Sequence, residues 1–422
     1  MPQTTEWGGW VQLLGGGATG LSCSSLFGDR KVTTKHGEVM QTNARGLTRR
    51  QILLGGAAAA AVPVMITSCG KASGQAPGGA DSLDVIVIGA GVSGLAAAHD
   101  LVDRGKKVVV VEARDRIGGR MWTDRSAASI PVERGAELVH GPDASTWPLI
   151  RGEGVATHEM KIAVTRRSPS APWRRIPPEP AGDFRVIGGY HQILRPLSKG
   201  LAIKLNTVVQ KIEYGGDGVT VRADRAGTAV TFQARAAVIT LPLGVLRSGN
   251  VKFSPELPAA KTEALDAAEY HPACKVLMEF ATPVLPMNAD YVERLPANPS
   301  TLWNASASVP GFAGQVVAGW SEGDPARELL ALPAKVRHQR VLEAVRIAAD
   351  RPDLMYSKVI EHDWVNDPFA QGAYPLEVPE EEEIYSPVKD KLFWAGVVTP
   401  QIDLSLDSGR QAAADVLERL SA

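Results

Sequence analysis

The chain has 422 residues, 44% of them apolar and 22% charged, the make-up of a soluble globular protein with room for roughly two or three domains. Lysine and arginine total 45 against 46 for aspartate and glutamate, so no overall field favours nucleic acid or an acidic lipid surface. Three cysteines, Cys23, Cys69 and Cys274, exclude a disulfide framework, and His271 and Cys274, at a metal-like spacing, have no second pair to complete a site; no metal is expected.

The first eighty residues read as an address. Arg49-Arg50 precedes Gln51-Ile52-Leu53-Leu54, two glycines, a run of alanines and Val62 to Ile66, the pattern of a bacterial twin-arginine export signal. The stretch is short for a membrane span and carries Pro63; a membrane helix is the alternative. Ile66-Thr67-Ser68-Cys69-Gly70 resembles a lipoprotein cleavage box in which Cys69 would be lipidated, against a cysteine that simply ends the signal. Residues 71–81 read as a flexible tether. The expected location is therefore the cell envelope, lipid-anchored on the outer face of the cytoplasmic membrane. Met40 would begin a signal of ordinary proportions, so translation is expected to start there.

Leu83 to Ile88 is an apolar, β-branched run fit for a buried parallel strand, and Gly89-Ala90-Gly91-Val92-Ser93-Gly94 follows at once. A helix is predicted to Arg104, ended by Gly105, then a strand over Lys107–Val111 closed by Glu112. In such a unit Gly89 permits the tight turn, Gly91 lets backbone approach a pyrophosphate, and Gly94 lets helix pack on strand. The helix N-terminus faces the phosphates, and Glu112 stands where an acid takes ribose hydroxyls. The unit is a dinucleotide site. Farther on, the basic stretch Lys161–Arg175, broken by Ser-Pro-Ser-Ala-Pro, reads as a solvated loop.

Arg114-Asp-Arg116-Ile117-Gly118-Gly119-Arg120 resembles the second glycine motif of the flavin amine oxidase superfamily, and blocks across residues 83–420 are similar to oxidases of the monoamine and polyamine type. Glu133-Arg-Gly135-Ala136-Glu137-Leu-Val-His140-Gly141 resembles the block beside the flavin ring. Gly188-Gly189-Tyr190 resembles the return into the cofactor domain. Val209 lies in a block like the strand that meets adenine, and Ala237 to Leu246, with Pro242, matches a strand and turn of the family. Leu392-Phe-Trp394-Ala395-Gly396 and Ser408-Gly409-Arg410 resemble its last flavin-binding strand and helix.

That resemblance implies non-covalent FAD, held by Gly89, Gly91, Val92, Ser93, Gly94, Glu112, Ala113, Arg114, Gly118, Gly119, Arg120, Gly135, Ala136, Glu137, Val209, Pro242, Trp364, Gly396 and Val397. Ala373 stands where some members carry a cysteine bonded to the flavin. Lys275 matches the family lysine that holds a water at flavin N5; a surface lysine on a strand edge is the alternative. Tyr374 matches one wall of the aromatic sandwich that orients the amine, against a packed core tyrosine. His140 would line the substrate cavity or be structural, and Glu137 would more readily be an internal hydrogen-bond acceptor than a substrate ligand.

Three departures matter. The segment 142–187 is short, where the family carries a longer helical roof; Val397 replaces a glutamate; and the second sandwich wall falls near Gln401, which is not aromatic. The fold expected is α/β: a doubly wound, Rossmann-like FAD domain (83–146, 186–250, 375–422) with a mixed α+β substrate domain (147–185, 251–374). The expected reaction is FAD-dependent oxidation of a primary or secondary amine, hydride passing to flavin N5 and oxygen accepting the electrons. The alternatives are a FAD-binding envelope lipoprotein or electron-transfer flavoprotein without oxidase activity, and a carbon–carbon desaturase. Expected partners are the amine and molecular oxygen, with a homodimer left open, membrane contact only through the lipid anchor, and no nucleic acid.

Overall fold

The computed structural model describes residues 82–168, 170–178, 182–375 and 378–421; the twin arginine, Cys69, the tether and Met40 lie outside them. β1 (Leu83–Ile88) and β2 (Val108–Val111) run parallel, joined by α1 (Val92–Asp103). Alternate residues of β1 enter opposite hydrophobic clusters: Val85 and Val87 pack under α1, Ile86 and Ile88 on the other side. A strand covered on both faces needs apolar side chains at every position, which is why these runs show no polar alternation.

The first sheet runs in the order Ile203–Lys204, β2, β1, Thr228–Ile239, Gly218–Arg225, Thr207–Gly215, Lys252–Ser254, and Leu392–Trp394 also pairs with Thr228–Ile239. Its parallel strands carry α1 and the last helix (Ile402–Ser421) on one face, and Leu243–Arg247, Ala259–Ala267 and Glu381–Tyr385 on the other. This is the doubly wound α/β half. The chain enters it, leaves, and returns to complete it with its final strand and helix.

The second sheet is seven-stranded: Lys358–Glu361, Ala273–Phe280, Gln315–Glu322, Thr301–Asn304, Tyr291–Val292, Ala163–Thr165, Arg174–Ile176. Ala273–Phe280 is buried at all eight positions. One face packs on Ala334–Ala349 through Val341, Leu342 and Val345; the other packs on Ile130, Val132 and Met160.

The structure departs from the predicted layout in three places. The supposed loop Lys161–Arg175 contains Ala163–Thr165 and leads into Arg174–Ile176, an antiparallel pair at the edge of the second sheet. Strands of three residues are too short for periodicity to register, although Val164 is fully buried. Trp147 and Ile150, expected with the substrate half, pack in the cluster beneath α1. Lys252–Ser254 and Ala259–Ala267, expected there too, belong to the first sheet and its covering helices.

Candidate active site

The turn between β1 and α1 opens on a cleft lined by Gly89, Gly91, Val92, Ser93, Glu112, Ala113, Arg114, Gly118, Gly119, Arg120, Val209, Pro242 and Gly396. The residues that line it without being predicted include Met121, Thr240, Phe369, Ile402 and Ser405. Thr240 lies inside the predicted block Ala237 to Leu246, just after the strand Thr228–Ile239, a position that could have flagged it. Ile402 and Ser405 were hidden because the last helix starts ahead of the Ser408-Gly409 block. Asp403, an acid in the first turn, was the available signal.

A dinucleotide fits this cleft on three counts. A Cβ built on Gly91 would meet nothing within 4 Å, so the backbone is bare toward the opening. Gly91 caps α1 with no side-chain hydrogen bond, which leaves the first amides of the helix for an anion. Glu112 accepts the amides of Ala90 at 2.7 Å and Arg114 at 2.8 Å through different oxygens, and each oxygen retains a lone pair for a ribose hydroxyl. Gly118 donates to Ala90 O at 2.8 Å, locking the second glycine turn against the first. Arg120 donates to Ala373 O at 2.7 Å, tying the cleft wall to the segment that carries Tyr374. A register shift at Val209 bends that strand beside the cleft.

Gly94, Gly135, Ala136, Glu137, Trp364 and Val397 are not part of the wall. Gly94 sits against Gly89 O, where a Cβ would come within 2.0 Å, so it closes the turn. Trp364 backs Gly135 and donates to Arg134 O at 2.9 Å. Ala136 donates to Arg120 O at 3.1 Å. Val397 is fully buried in the cluster of the first sheet, which suits an apolar residue where the family carries a glutamate.

Behind the wall, Lys275 lies on the interior strand Ala273–Phe280, not at an edge. Its ammonium donates to Gly135 O at 2.5 Å and pairs with Glu137 Oε2 at 3.3 Å. The same oxygen accepts Trp303 Nε1 at 3.1 Å, and the other faces Arg185 Nε at 3.5 Å. Glu137 is thus the buried anion between two cations. Glu133 is also enclosed: Oε1 accepts Thr123 Oγ1 and the Tyr190 amide, both at 2.7 Å, and Oε2 has no hydrogen-bond partner among the described residues. Burial lifts its carboxyl from 4.5 to about 7.

Tyr374 donates its hydroxyl to Glu322 at 2.6 Å, and burial together with that carboxylate pushes the phenol up, so it stays protonated. The ring parallel to it belongs to Trp320, at 6.4 Å and 8°. Gln401 stands just ahead of the last helix, where its carbonyl accepts the Ser405 amide at 3.1 Å. His140 shares a proton with Asp183 at 2.7 Å; burial opposes the charged ring, but the carboxylate outweighs it and the net shift is upward. Asp183 also accepts Tyr291 Oη at 2.9 Å.

The family model "Flavin containing amine oxidoreductase" matches residues 92–177 and 175–417. The chain belongs to the flavin-containing amine oxidoreductases. It is 26% identical over 449 residues to polyamine oxidase 2 of Arabidopsis thaliana, covering 80% of this chain and 89% of that protein. It is 27% identical to human lysine-specific histone demethylase 2 over 285 residues, 46% of this chain and 34% of the other. Its fold matches wild-type putrescine oxidase bound to putrescine (TM-score 0.68, 18% identity, 80% of this chain and 99% of that one). It also matches cyclohexylamine oxidase from Brevibacterium oxydans (18% identity, 81% and 100%). This amine oxidoreductase uses FAD, and Ala373, whose carbonyl accepts from Arg120 of the cleft wall, stands where some members of the family carry a cysteine.

Proposed function

We propose that the protein oxidises a primary or secondary amine to its imine, with oxygen as acceptor and hydrogen peroxide as product. The observation that carries this reading is Lys275, a buried ammonium fixed by Gly135 O and Glu137 directly behind the cofactor cleft, on the strand next to the one that anchors Tyr374. FAD, when bound, takes a hydride equivalent from the carbon beside the amine nitrogen. The protein's own share is orientation and electrostatics. Arg120 and Gly118 hold the cleft wall, Tyr374 presents an apolar ring, and Lys275 offers a proton donor that its carboxylate partner keeps in place.

Anaerobic mixing of holoprotein with a panel of amines tests the proposal through flavin absorbance. Bleaching by a polyamine or an aromatic amine is expected, with turnover in air much slower in Lys275→Met. Absence of bleaching across the panel would favour a binding or electron-transfer role. From the sequence we further propose twin-arginine export and lipidation of Cys69; Cys69→Ala should move the protein from the membrane fraction to the soluble envelope fraction.

A further inference from the structure

The spacing of the C-terminal motif puts the second aromatic wall near Gln401, where there is no ring, and the structure supplies a ring from elsewhere. Trp320 lies on Gln315–Glu322, directly across from Lys275 in the antiparallel pair. Paired residues project to the same face, so Trp320 and Lys275 share one side of the sheet, with the ammonium over the Trp303 ring at 5.7 Å. Its indole is parallel within 8° to the Tyr374 ring, centroids 6.4 Å apart. It also meets Trp303, tilted at 50° with centroids 5.8 Å apart, the residue that hydrogen-bonds Glu137. Glu322, two positions farther and hence on the same face, holds the Tyr374 hydroxyl at 2.6 Å. One strand therefore provides one ring and anchors the other. Trp320 also remains partly exposed, whereas Val316, Val317 and Ala318 before it are sealed.

The separation decides what the pair can do. A carbon or nitrogen held between two parallel rings needs about 7 Å or more between them, twice the ordinary contact distance. At 6.4 Å nothing enters. We propose that Trp320 and Tyr374 form a stacked platform, not an open slot, that receives the apolar body of the amine, and that Trp320 thereby selects for amines with large flat or long apolar groups. This rests on the amine-oxidising reading and adds the substrate class to it.

The test uses holoenzyme and two amines without hydrogen on the carbon beside nitrogen, cumylamine and tert-butylamine, whose binding is read by calorimetry without turnover. Trp320→Ala should weaken cumylamine about five- to tenfold and leave tert-butylamine within about twofold. Trp320→Phe should restore most of the loss, and KM for benzylamine should follow the same order with kcat little changed. Trp320→Leu, which keeps apolar volume without a flat ring, guards against loss of folding; it should behave like Trp320→Ala at an unchanged melting temperature. Equal weakening of both amines, or of neither, overturns the platform while benzylamine oxidation by the wild type leaves the amine reading standing. A wild type that binds none of these amines overturns the platform, while bleaching by a polyamine in the anaerobic panel keeps the amine reading standing.

Discussion

Glu133 carries a pH response that a single substitution can isolate. Its native carboxyl keeps a proton to about pH 7, whereas the unfolded chain loses it near 4.5. Between those values the native state binds more protons, so stability falls as pH rises, by up to about 3 kcal/mol. Glu133→Gln keeps an acceptor for Thr123 and Tyr190 and cannot ionise. Its melting temperature relative to wild type should rise from pH 5 to pH 8, and a constant gap across that range would refute the assignment. The neighbouring pair gives an asymmetry. Lys275→Met leaves Glu137 facing Arg185 and Trp303, but Glu137→Leu strands two buried cations. Urea unfolding should show Glu137→Leu losing about 3–5 kcal/mol and Lys275→Met clearly less. Lys275 was legible because a motif surrounds it. Its contacts were not: Arg185 and Trp303 reach Glu137 across strands whose register no local pattern records. Trp320 was missed for the same reason, since nothing in its own segment shows that it faces Lys275.

At the scale of elements, the β1–α1–β2 unit was readable almost whole, because a doubly covered strand, a glycine turn and a helix each leave local marks. The two glycines of that turn do different work, and substitution separates them. Gly94→Ala drives a Cβ to 2.0 Å from Gly89 O, a backbone atom that cannot swing away. It should cost about 1–3 kcal/mol of stability even without cofactor. Gly91→Ala has ordinary extended backbone (φ −71°, ψ 178°) and open space, so the apoprotein should melt within about a degree of wild type. Its methyl group would stand where the pyrophosphate approaches, so FAD affinity should drop at least about tenfold, read by fluorescence titration. If Gly91→Ala binds FAD normally, the cleft is not the pyrophosphate site. Edge pieces were the elements sequence could not show. The Ala163–Thr165 and Arg174–Ile176 pair is too short for a period, and its charges advertise a loop.

Among the described residues the two large sheets interleave in the chain, and the cofactor cleft draws its wall from residues as distant as Gly89, Phe369 and Ser405. The α/β fold class was visible in the order of the blocks, but the tie between distant segments was not. Arg114, on the cleft wall, reaches Asp367 with a bidentate pair at 2.9 and 2.6 Å and lies over Trp364 and Phe369. Burial works against the Asp367 charge, but His362 and Arg114 outweigh it and hold the carboxyl well below the usual range. Lysine can keep the charge there but not the fork or the stacking. Arg114→Lys should therefore lower stability by about 1–3 kcal/mol and weaken FAD binding together. A depressed carboxyl contributes fully above its unfolded value of 3.8 and loses that contribution only as pH falls through the native one. The gap between wild type and Arg114→Lys should stay level from pH 5 to pH 8, the window in which the Glu133→Gln gap changes. Thermal melts of the two variants over one pH series would thus separate the tie between segments from the buried acid behind the cleft, and gaps that slope alike in both variants would refute that separation.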